Sequence, residues 1–517
     1  MRIGIDVGGT NTDAVILDGD RVVAGCKSPT TEDVSSGIAS ALSIVLGETG
    51  VAPSAIDAVM IGTTHFTNAV VERRRLLPVA AIRIGLPATK GVPPMTDWPV
   101  DLADTLGRHT FMLRGGHEFD GREIAPLDER GLMEVAAEMK ARGLRTASVT
   151  SVFSPVTAAM EARAAEILRE EVPGVALSLS HEIGRVGFLE RENAAIMNAC
   201  LADLSKKVVD SFRVALREKG ITAPFYISQN DGTLMTPEHV ERYPVLTFAS
   251  GPTNSMRGAA RLAGIGDAMV VDIGGTTSDV GMLMQGFPRE SAVAVDIGGV
   301  RTNFRMPDVL AIGLGGGSIV RDDGARIGPD SVGYEITKKA LVFGGDTLTT
   351  TDIVVAAGLE DIGDRSRVAH LPAATIEAAL ATMHAKVDEA VDRMKTSADP
   401  LPVILVGGGS ILISRDLPSA SEVLRPENAG VANAIGAAIA QVGGEVDRIY
   451  AMEGRSRDSV LDEAKAEATA NAVAAGAAAG TVSIMDIEEV PLAYLPGSAT
   501  RIRVKAVGDL KMLEAAE

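Results

Sequence analysis

Two short segments constrain this chain more than anything else in it. Asp6-Val-Gly-Gly-Thr-Asn-Thr-Asp13 lies near the N-terminus and Asp272-Ile-Gly-Gly-Thr-Thr-Ser-Asp279 lies past the midpoint; five of the eight positions are identical. Each joins two apolar runs through a Gly-Gly pair, which is the pattern of a β-hairpin. The spacing predicts strands over 2–7, 12–17 and 21–27 in the first copy, and over 268–272 and 278–284 in the second. Internal similarity in matching strand–turn–strand contexts implies two lobes of one ancestry, each opening with the same hairpin. At 517 residues the chain can bury two sizeable cores.

The rest of the chain reads as α/β. A helical pattern over 32–46 puts Ile38, Leu42 and Val45 on one face, and a short buried strand over 58–61 runs into Gly62-Thr63-Thr64. Strands and helices alternate to about residue 179, including a helix over 128–142 that buries Leu132, Val135 and Met139. One or two long helices span 181–219. After the second hairpin come a helix over 373–394, a strand over 402–406 ending in Gly407-Gly408-Gly409, and a helix over 431–441. Past Asp447 an Ala/Glu/Lys helix (458–475) precedes three short strands over 481–487, 490–494 and 499–507. The expected division is an N-terminal lobe over 1–190, a second lobe over 191–446 and a small C-terminal α+β appendage over 447–517.

A strand that ends in Asp and turns at once through Gly-Gly-Thr has a physical use. The glycines allow a tight turn whose N–H groups point outward, and no Cβ blocks the approach of a phosphate. The hydroxyls of Thr10, Thr276 and Thr277 add donors. Asp6 and Asp272 would repel a polyphosphate directly, but a hard cation between them resolves this. Mg²⁺ takes few carboxylates and fills its shell with phosphate oxygens and water. Two facing hairpins would therefore clamp the β and γ phosphates of ATP. Gly407-Gly408-Gly409 fits a loop on which adenine or ribose can lie. There is no Gly-x4-Gly-Lys-Ser/Thr loop and no Gly-x-Gly-x-x-Gly fingerprint, which disfavours the commoner nucleotide folds.

Three other segments read as cleft lining. Thr63, Thr64 and Asn68 follow a buried strand; Ser250 and Gly251 open a polar run to Ser255 ahead of the second hairpin; and the loop 313–318 is rich in N–H groups suited to an oxyanion. A third near-copy, Asp296-Ile-Gly-Gly-Val300, lacks the Thr and the second Asp and reads as a structural turn. Among seven histidines no His-x-x-x-His pair occurs, which disfavours a zinc site, and only His65 sits in a candidate loop. The absence of Gly-x-Ser-x-Gly argues against a serine hydrolase. A net charge of −19 repels nucleic acid, and two cysteines support neither a disulfide framework nor a zinc cluster. Asp6 stands where a signal peptide would be apolar, and no run approaches a membrane span, so no membrane association and a cytoplasmic location are expected.

With these residues in place, the chain resembles the hydantoinase A/5-oxoprolinase family, within the ATPase superfamily of actin and hexokinase. The likeness runs over nearly the whole chain. It rests on Ile5 to Asp13, Gly62-Thr-Thr-His-Phe-Thr-Asn-Ala69, Ser180-His-Glu-Ile183 with Arg191-Glu-Asn193, Ser250-Gly-Pro252, Asp272 to Asp279, Ile312 to Ile319 and Gly328-Pro-Asp-Ser331. Two departures bear on the substrate: Asn11 stands where many relatives carry an aromatic residue, and Val332 to Lys338 replaces a Pro-Gly-rich stretch. The resemblance implies a two-lobed, actin-like (ribonuclease H-like) ATPase fold with duplicated phosphate-binding β-hairpins. It implies ATP-dependent hydrolysis of a cyclic amide or ureide through phosphorylation of the amide oxygen, as the ATP-binding subunit. Family members often act with a separate B-type partner subunit; a homo-oligomer is a further expectation.

On that basis Asp6, Asp13, Asp272 and Asp279 are the expected catalytic carboxylates, with Asp6 and Asp272 holding Mg²⁺. Gly8, Gly9, Thr10, Asn11, Gly274, Gly275, Thr276, Thr277, Gly407, Gly408 and Gly409 are expected to contact ATP. Thr63, Thr64, Asn68, Ser250 and Gly251 are expected on the substrate side. A small-molecule kinase, a ketone-carboxylating subunit and a nucleotide-gated binding module remain alternatives.

Overall fold

The computed structural model describes residues 1–9, 11–30, 34–184, 186–291, 294–304, 306–492 and 499–511. Thr10 lies outside the described residues. The first hairpin forms as its alternation dictates. Arg2–Val7 pairs antiparallel with Asn11–Asp18, placing Asp6 opposite Asp13, and Arg21–Pro29 completes the meander. On the other edge Ala58–Thr63 runs parallel to Arg2–Val7, with Asp6 opposite Gly62. This strand is buried throughout, as its unbroken apolar run requires.

The second hairpin repeats the plan. Ala268–Ile273 pairs with Ser278–Met284, Asp272 opposite Asp279, and Leu401–Val406 lies parallel to Ala268–Ile273 as Ala58–Thr63 does to Arg2–Val7. Val406 lies opposite Asp272 where Gly62 lies opposite Asp6, and Gly407 follows one residue on, still against the Asp272 carboxylate. The duplication thus extends to a third strand that leaves a glycine beside the hairpin's Asp.

The sheets cut across the linear division of the sequence. Helices Phe188–Cys200 and Ala202–Glu218 pack into the core of the N-terminal lobe around Ile196, Val209 and Phe212. Phe225–Ser228 and Thr233–Met235 extend its sheet, and Gln441–Tyr450, Thr500–Gly508 and Ser483–Pro491 complete nine strands. Residues past 447 therefore form no free-standing appendage; among the described residues they supply two long strands, Ser483–Pro491 and Thr500–Gly508, and the end of the strand expected over 490–494 lies outside the described residues. The reason is burial. Thr500–Gly508 is almost wholly inside, flanked by strands on both sides and covered by helix Arg457–Ala474, whereas a two-stranded sheet alone is marginal in water. Likewise the helix expected over 431–441 is the shorter Ala432–Ala438, and the chain turns to strand at Gln441.

A third, parallel sheet (Ala80–Leu86, His109–Arg114, Thr146–Ser151, Ala176–Leu179) has its own core with helices Glu129–Arg142 and Ala159–Glu171. Asp128 caps the first of these, its carboxylate accepting from the Gly131 amide at 2.9 Å, and Gly143 ends it in the left-handed region. The near-copy around Asp296 is a small hairpin whose carboxylate accepts from the Gly299 amide at 2.8 Å, a turn cap and nothing more. No helix among the described residues is long and apolar enough to cross a membrane.

Between the two large sheets, helices Ser250–Ala263 and Ala432–Ala438 cross with their backbones in contact. A Cβ at Gly258 would collide with the Ala432 carbonyl, one at Gly436 with the Asn254 carbonyl, and one at Gly4 with the Ala434 carbonyl. Glycine at these three positions lets both helices lie flat against the strands that end in Asp.

Candidate functional site

The two hairpins meet. The charges of Asp13 and Lys27, from the first meander, act on Asp272 of the second. The crossed helices bring the cleft its polar floor. Consecutive residues of one helix serve opposite lobes: Asn254 lies against Asp6 over Gly62, and the Ser255 hydroxyl sits against Asp272. From the other helix the Asn433 amide donates to Asp6 Oδ2 at 3.0 Å and to Asp13 Oδ2 at 2.8 Å. Lys27 Nζ pairs with Asp13 Oδ2 at 2.6 Å. Glycine is required at 62 and 407 because the carboxylates of Asp6 and Asp272 occupy the space a Cβ would need.

Burial and mutual repulsion raise the pKa of Asp6, Asp272 and Asp279. Burial, then the charge of Asp13, raises the Asp6 pKa to about 6, against the hydrogen bond from Asn433, the neighbouring Asn254 amide and the charge of Lys27. Burial raises Asp272 as well, offset in part by Ser255 and Lys27. Asp279, with burial and the neighbouring Asp272 both acting on it, is pushed up to about 7. Asp6 Oδ1, Asp13 Oδ1 and both polar atoms of the Asn254 amide are buried with no partner at hydrogen-bonding geometry. A site that keeps four such atoms unmatched is incomplete without a cation or a polar ligand.

The turns supply the complementary donors. Gly8 N donates to Asn11 O at 3.0 Å and Gly274 N to Thr277 O at 2.9 Å, closing both hairpins. The amides of Gly9, Gly275, Thr276 and Gly408 meet no acceptor among the described residues and stand at exposed positions. Asn11 and Thr277 flank those tips. Gly407 N and Gly409 N are engaged, with Ala429 O and Ile273 O, so this loop is pinned to the second hairpin and leaves only Gly408 outward. Free amides beside buried, unmatched carboxylate oxygens fit a magnesium-bridged polyphosphate. Among the described residues no three His, Cys, Asp or Glu side chains cluster as metal ligands, so such an ion would take most of its shell from phosphate and water.

The expected substrate-side residues gather by the first turn. Asn68 Nδ2 donates to Thr64 Oγ1 and approaches Gly9; Thr64 Oγ1 donates to Val7 O; Ser250 Oγ donates to Thr63 O; and Gly251 abuts Thr64. Thr63 Oγ1 bonds His65 Nδ1 at 2.7 Å, and burial with the Arg75 charge lowers the His65 pKa to about 4. The loop 313–318 corrects an expectation. Its amides are spent inside the protein, Gly316 N on Gly274 O, Gly317 N on Gly275 O and Gly315 N on Ser318 Oγ. It buttresses the second turn, and of its six amides only that of Gly313 meets no acceptor among the described residues. Lys27 and Asn433 escaped notice in the sequence, whereas Asn254 and Ser255 lie in the polar run read there as cleft lining. Asn433 did carry a mark, as the one polar side chain in Ala432–Ala438.

The raised Asp279 pKa makes a stability prediction. A carboxyl whose folded pKa exceeds its unfolded value carries no penalty below about pH 4 and the full one above its folded pKa. Native Asp279 holds its proton longer, so stability is lost as pH rises from 3.8 toward about 7. In ligand-free protein Asp279→Asn should match wild type near pH 4 and exceed it by up to about 4 kcal/mol near pH 8. Thermal unfolding across that range reads the difference; a constant offset between the two proteins contradicts it.

Known proteins resemble this chain in sequence and in fold. The hydantoinase/oxoprolinase N-terminal region model matches residues 2–172 and the hydantoinase/oxoprolinase model matches 191–366. The acetophenone carboxylase gamma subunit of Aromatoleum aromaticum is 28% identical over 401 residues, covering 69% of this chain and 53% of that protein. The caprolactamase subunit alpha of Pseudomonas jessenii is 26% identical over 387 residues, covering 69% and 54%. The chain thus spans about half the length of the curated relatives it matches. Among solved structures, the ATP-dependent caprolactamase of Pseudomonas jessenii superposes with a TM-score of 0.79 at 19% identity, over 100% of this chain and 89% of that one. Nucleotide-free acetone carboxylase gives 0.68 at 18%, over 99% and 88%.

Proposed function

The chain belongs to the hydantoinase/oxoprolinase family, and from that membership we propose that it is the ATP-binding subunit of an enzyme that opens a cyclic amide, such as a hydantoin, lactam or oxoproline-like ring. The observation that carries the reading is the meeting of two Asp-Gly-Gly hairpins in one cleft, with free turn amides beside unmatched carboxylate oxygens. In this reading the fold is actin-like. The turns 8–11 and 274–277 hold the β and γ phosphates, and Gly407 to Gly409 contact the adenosine. Asp6 and Asp272 would hold Mg²⁺, and such an ion would neutralise the phosphate charge and polarise the γ-phosphoryl group.

A ring amide is a resonance-stabilised, poor electrophile. Attack of its oxygen on the γ-phosphorus breaks the bond to the bridging oxygen, releases ADP and leaves an imidate-like phosphate ester. Water then adds to the ring carbon, and the C–N bond of that adduct breaks as the ring nitrogen takes up a proton, which leaves an open-chain acyl phosphate; a second water hydrolyses it to the carboxylate and phosphate. Asp279, with a pKa near 7, is suited to take the proton of the first water, and Asp13, fixed by Lys27 and Asn433, holds the first hairpin in register. Thr63, Thr64, Asn68, Ser250 and Gly251 face the substrate side. Since relatives carry the names of subunits, a B-type partner is part of the proposal.

The test is ADP release over a panel of cyclic amides and ureides, with and without the protein encoded alongside. The expected result is ring-dependent ADP and phosphate in step with a ring-opened product by mass spectrometry. A stable phosphorylated metabolite identifies a kinase instead, and a slow ATPase indifferent to every ring and partner identifies a binding module. The acetophenone carboxylase match favours a second reading, a ketone-carboxylating subunit. Fixation of labelled bicarbonate carbon into an acid product would select it.

A further inference from the structure

A cavity of about 720 Å³ lies beside the N-terminal sheet and shares no lining residue with the acidic cleft. It opens at the same sheet edge. Phe225–Ser228 runs parallel to Ala58–Thr63, which runs parallel to Arg2–Val7, so Gln229 and Asn230 leave the sheet on the side where Asp6 turns. With strands about 4.8 Å apart, that exit is on the order of 10 Å from the Asp6 backbone. The helix that brings Asn254 and Ser255 into the cleft also holds this cavity's edge. Thr253 Oγ1 donates to Asn230 O at 2.8 Å, and Arg257 Nη1 donates to Gly232 O at 2.7 Å.

The charges around the cavity are matched within the protein. Glu182 pairs with Arg242 and Tyr243, Asp231 with Lys505 at 3.0 Å, and Asp447 with Arg501 at 2.6 Å. An ionic ligand would have to break one of these pairs. Two groups stand apart. Asn303 lines the cavity with both atoms of its amide buried and without a partner among the described residues. His181 lines it too, with Nδ1 tied at 2.6 Å to Glu161, a fully buried carboxylate that also accepts from Ser180 Oγ and the amides of Ser151 and His181. That bond fixes the imidazole's orientation and leaves Nε2 as its one unengaged nitrogen. The sequence motif from Ser180 to Ile183, which the nucleotide reading leaves unused, builds this wall. Phe304, Leu234 and Met235 provide apolar surface.

An unpaired carboxamide offers a donor and an acceptor side by side, and leaving both unmet costs about 1–3 kcal/mol each. Its complement is an uncharged group with N–H and C=O on one edge. Ring closure forces an amide into that cis arrangement, whereas an acyclic secondary amide is trans and shows the two groups on opposite edges. We propose that this cavity is the capture site for the cyclic amide or ureide, its N–H/C=O edge paired with the Asn303 carboxamide, its ring on the apolar wall, and His181 Nε2 as a third polar contact. The inference takes the ring's chemical class from the function proposed above and adds where and by what the ring is recognised.

The test uses the full chain without nucleotide and measures binding of 2-pyrrolidinone, hydantoin and N-methylacetamide by titration calorimetry or saturation-transfer NMR. The expected result is saturable binding of a cyclic probe, with N-methylacetamide weaker by about tenfold or more. Asn303→Leu should weaken ring binding by a similar factor, with nucleotide affinity unchanged. Asn303→Asp, which keeps the shape and removes the donor, replaces it if the leucine variant unfolds by circular dichroism. His181→Gln should weaken ring binding to a smaller extent. Asp272→Asn should leave ring binding unchanged, so a failure of the ATP reading alone would show as ring capture without turnover. Absence of saturable ring binding, equal binding of N-methylacetamide, or ring binding indifferent to Asn303 would overturn the proposal, even with ring-dependent ATP turnover intact.

Discussion

Replacement of Asp272 by Ala or Asn lowers ring-dependent ATP turnover by about 10²–10³-fold or more while the protein stays folded. The two halves of that expectation have one cause. The Asp272 carboxylate is held where burial disfavours its charge, so the fold gains nothing from it. On the proposed reading, what it offers is negative charge beside the second turn for a cation that would neutralise phosphate. Steady-state ADP release, with circular dichroism and thermal unfolding on the same samples, separates the two. Asp296→Asn is the matched control. It removes the carboxylate of the near-copy whose only described partner is its own turn amide, and turnover should not change. Full turnover in the Asp272 variants would remove that residue from the mechanism.

Gly436→Ala should be among the most damaging methyl additions, alongside Gly258→Ala at the same crossing. At 436 the added Cβ would overlap the carbonyl, carbonyl carbon and Cα of Asn254, all backbone atoms with no rotamer in which to escape. The two crossed helices must separate, at a cost of about 1–3 kcal/mol or more. That separation also displaces Asn254 from Asp6 and Asn433 from Asp6 and Asp13, so nucleotide affinity should fall by at least about tenfold along with the melting temperature. Gly47→Ala is the contrast. Gly47 sits in helix Val34–Thr49 with nothing within 4 Å of an added Cβ, and the change should stabilise by up to about 1 kcal/mol. Equal effects of the two substitutions would show that the crossing is not tight in solution.

Much of this was legible before any coordinates. Period-two apolar runs around Gly-Gly specified both hairpins, and the repeat of Asp6 to Asp13 in Asp272 to Asp279 placed four carboxylates in one register. Strand ends differed by only a residue or two, as at Asn11–Asp18 against an expected 12–17. The assignment of strands to sheets was not legible, because alternation says that a strand has a buried face but not which neighbour buries it. Hence Gln441–Tyr450 and Thr500–Gly508 joined the first sheet unannounced. The floor of the cleft was hidden for a related reason. Asn254 and Asn433 belong to helices remote in sequence, and only the glycine contacts at 258 and 436 bring them together. The loop 313–318 misled through composition: many N–H groups were counted, but their acceptors on the second turn could not be.

The placement of Thr500–Gly508 beside Gln441–Tyr450 carries a consequence for biosynthesis. Strands Ala268–Ile273 through Ala420–Leu424 are contiguous in the chain, so the second sheet can close while the ribosome is still at work. The nine-stranded sheet closes only later. Its edge at Thr233–Met235 waits for residues that emerge more than two hundred positions later. Until then the cavity beside that edge has no far wall, and a nascent chain could hold nucleotide well before it could recognise a ring.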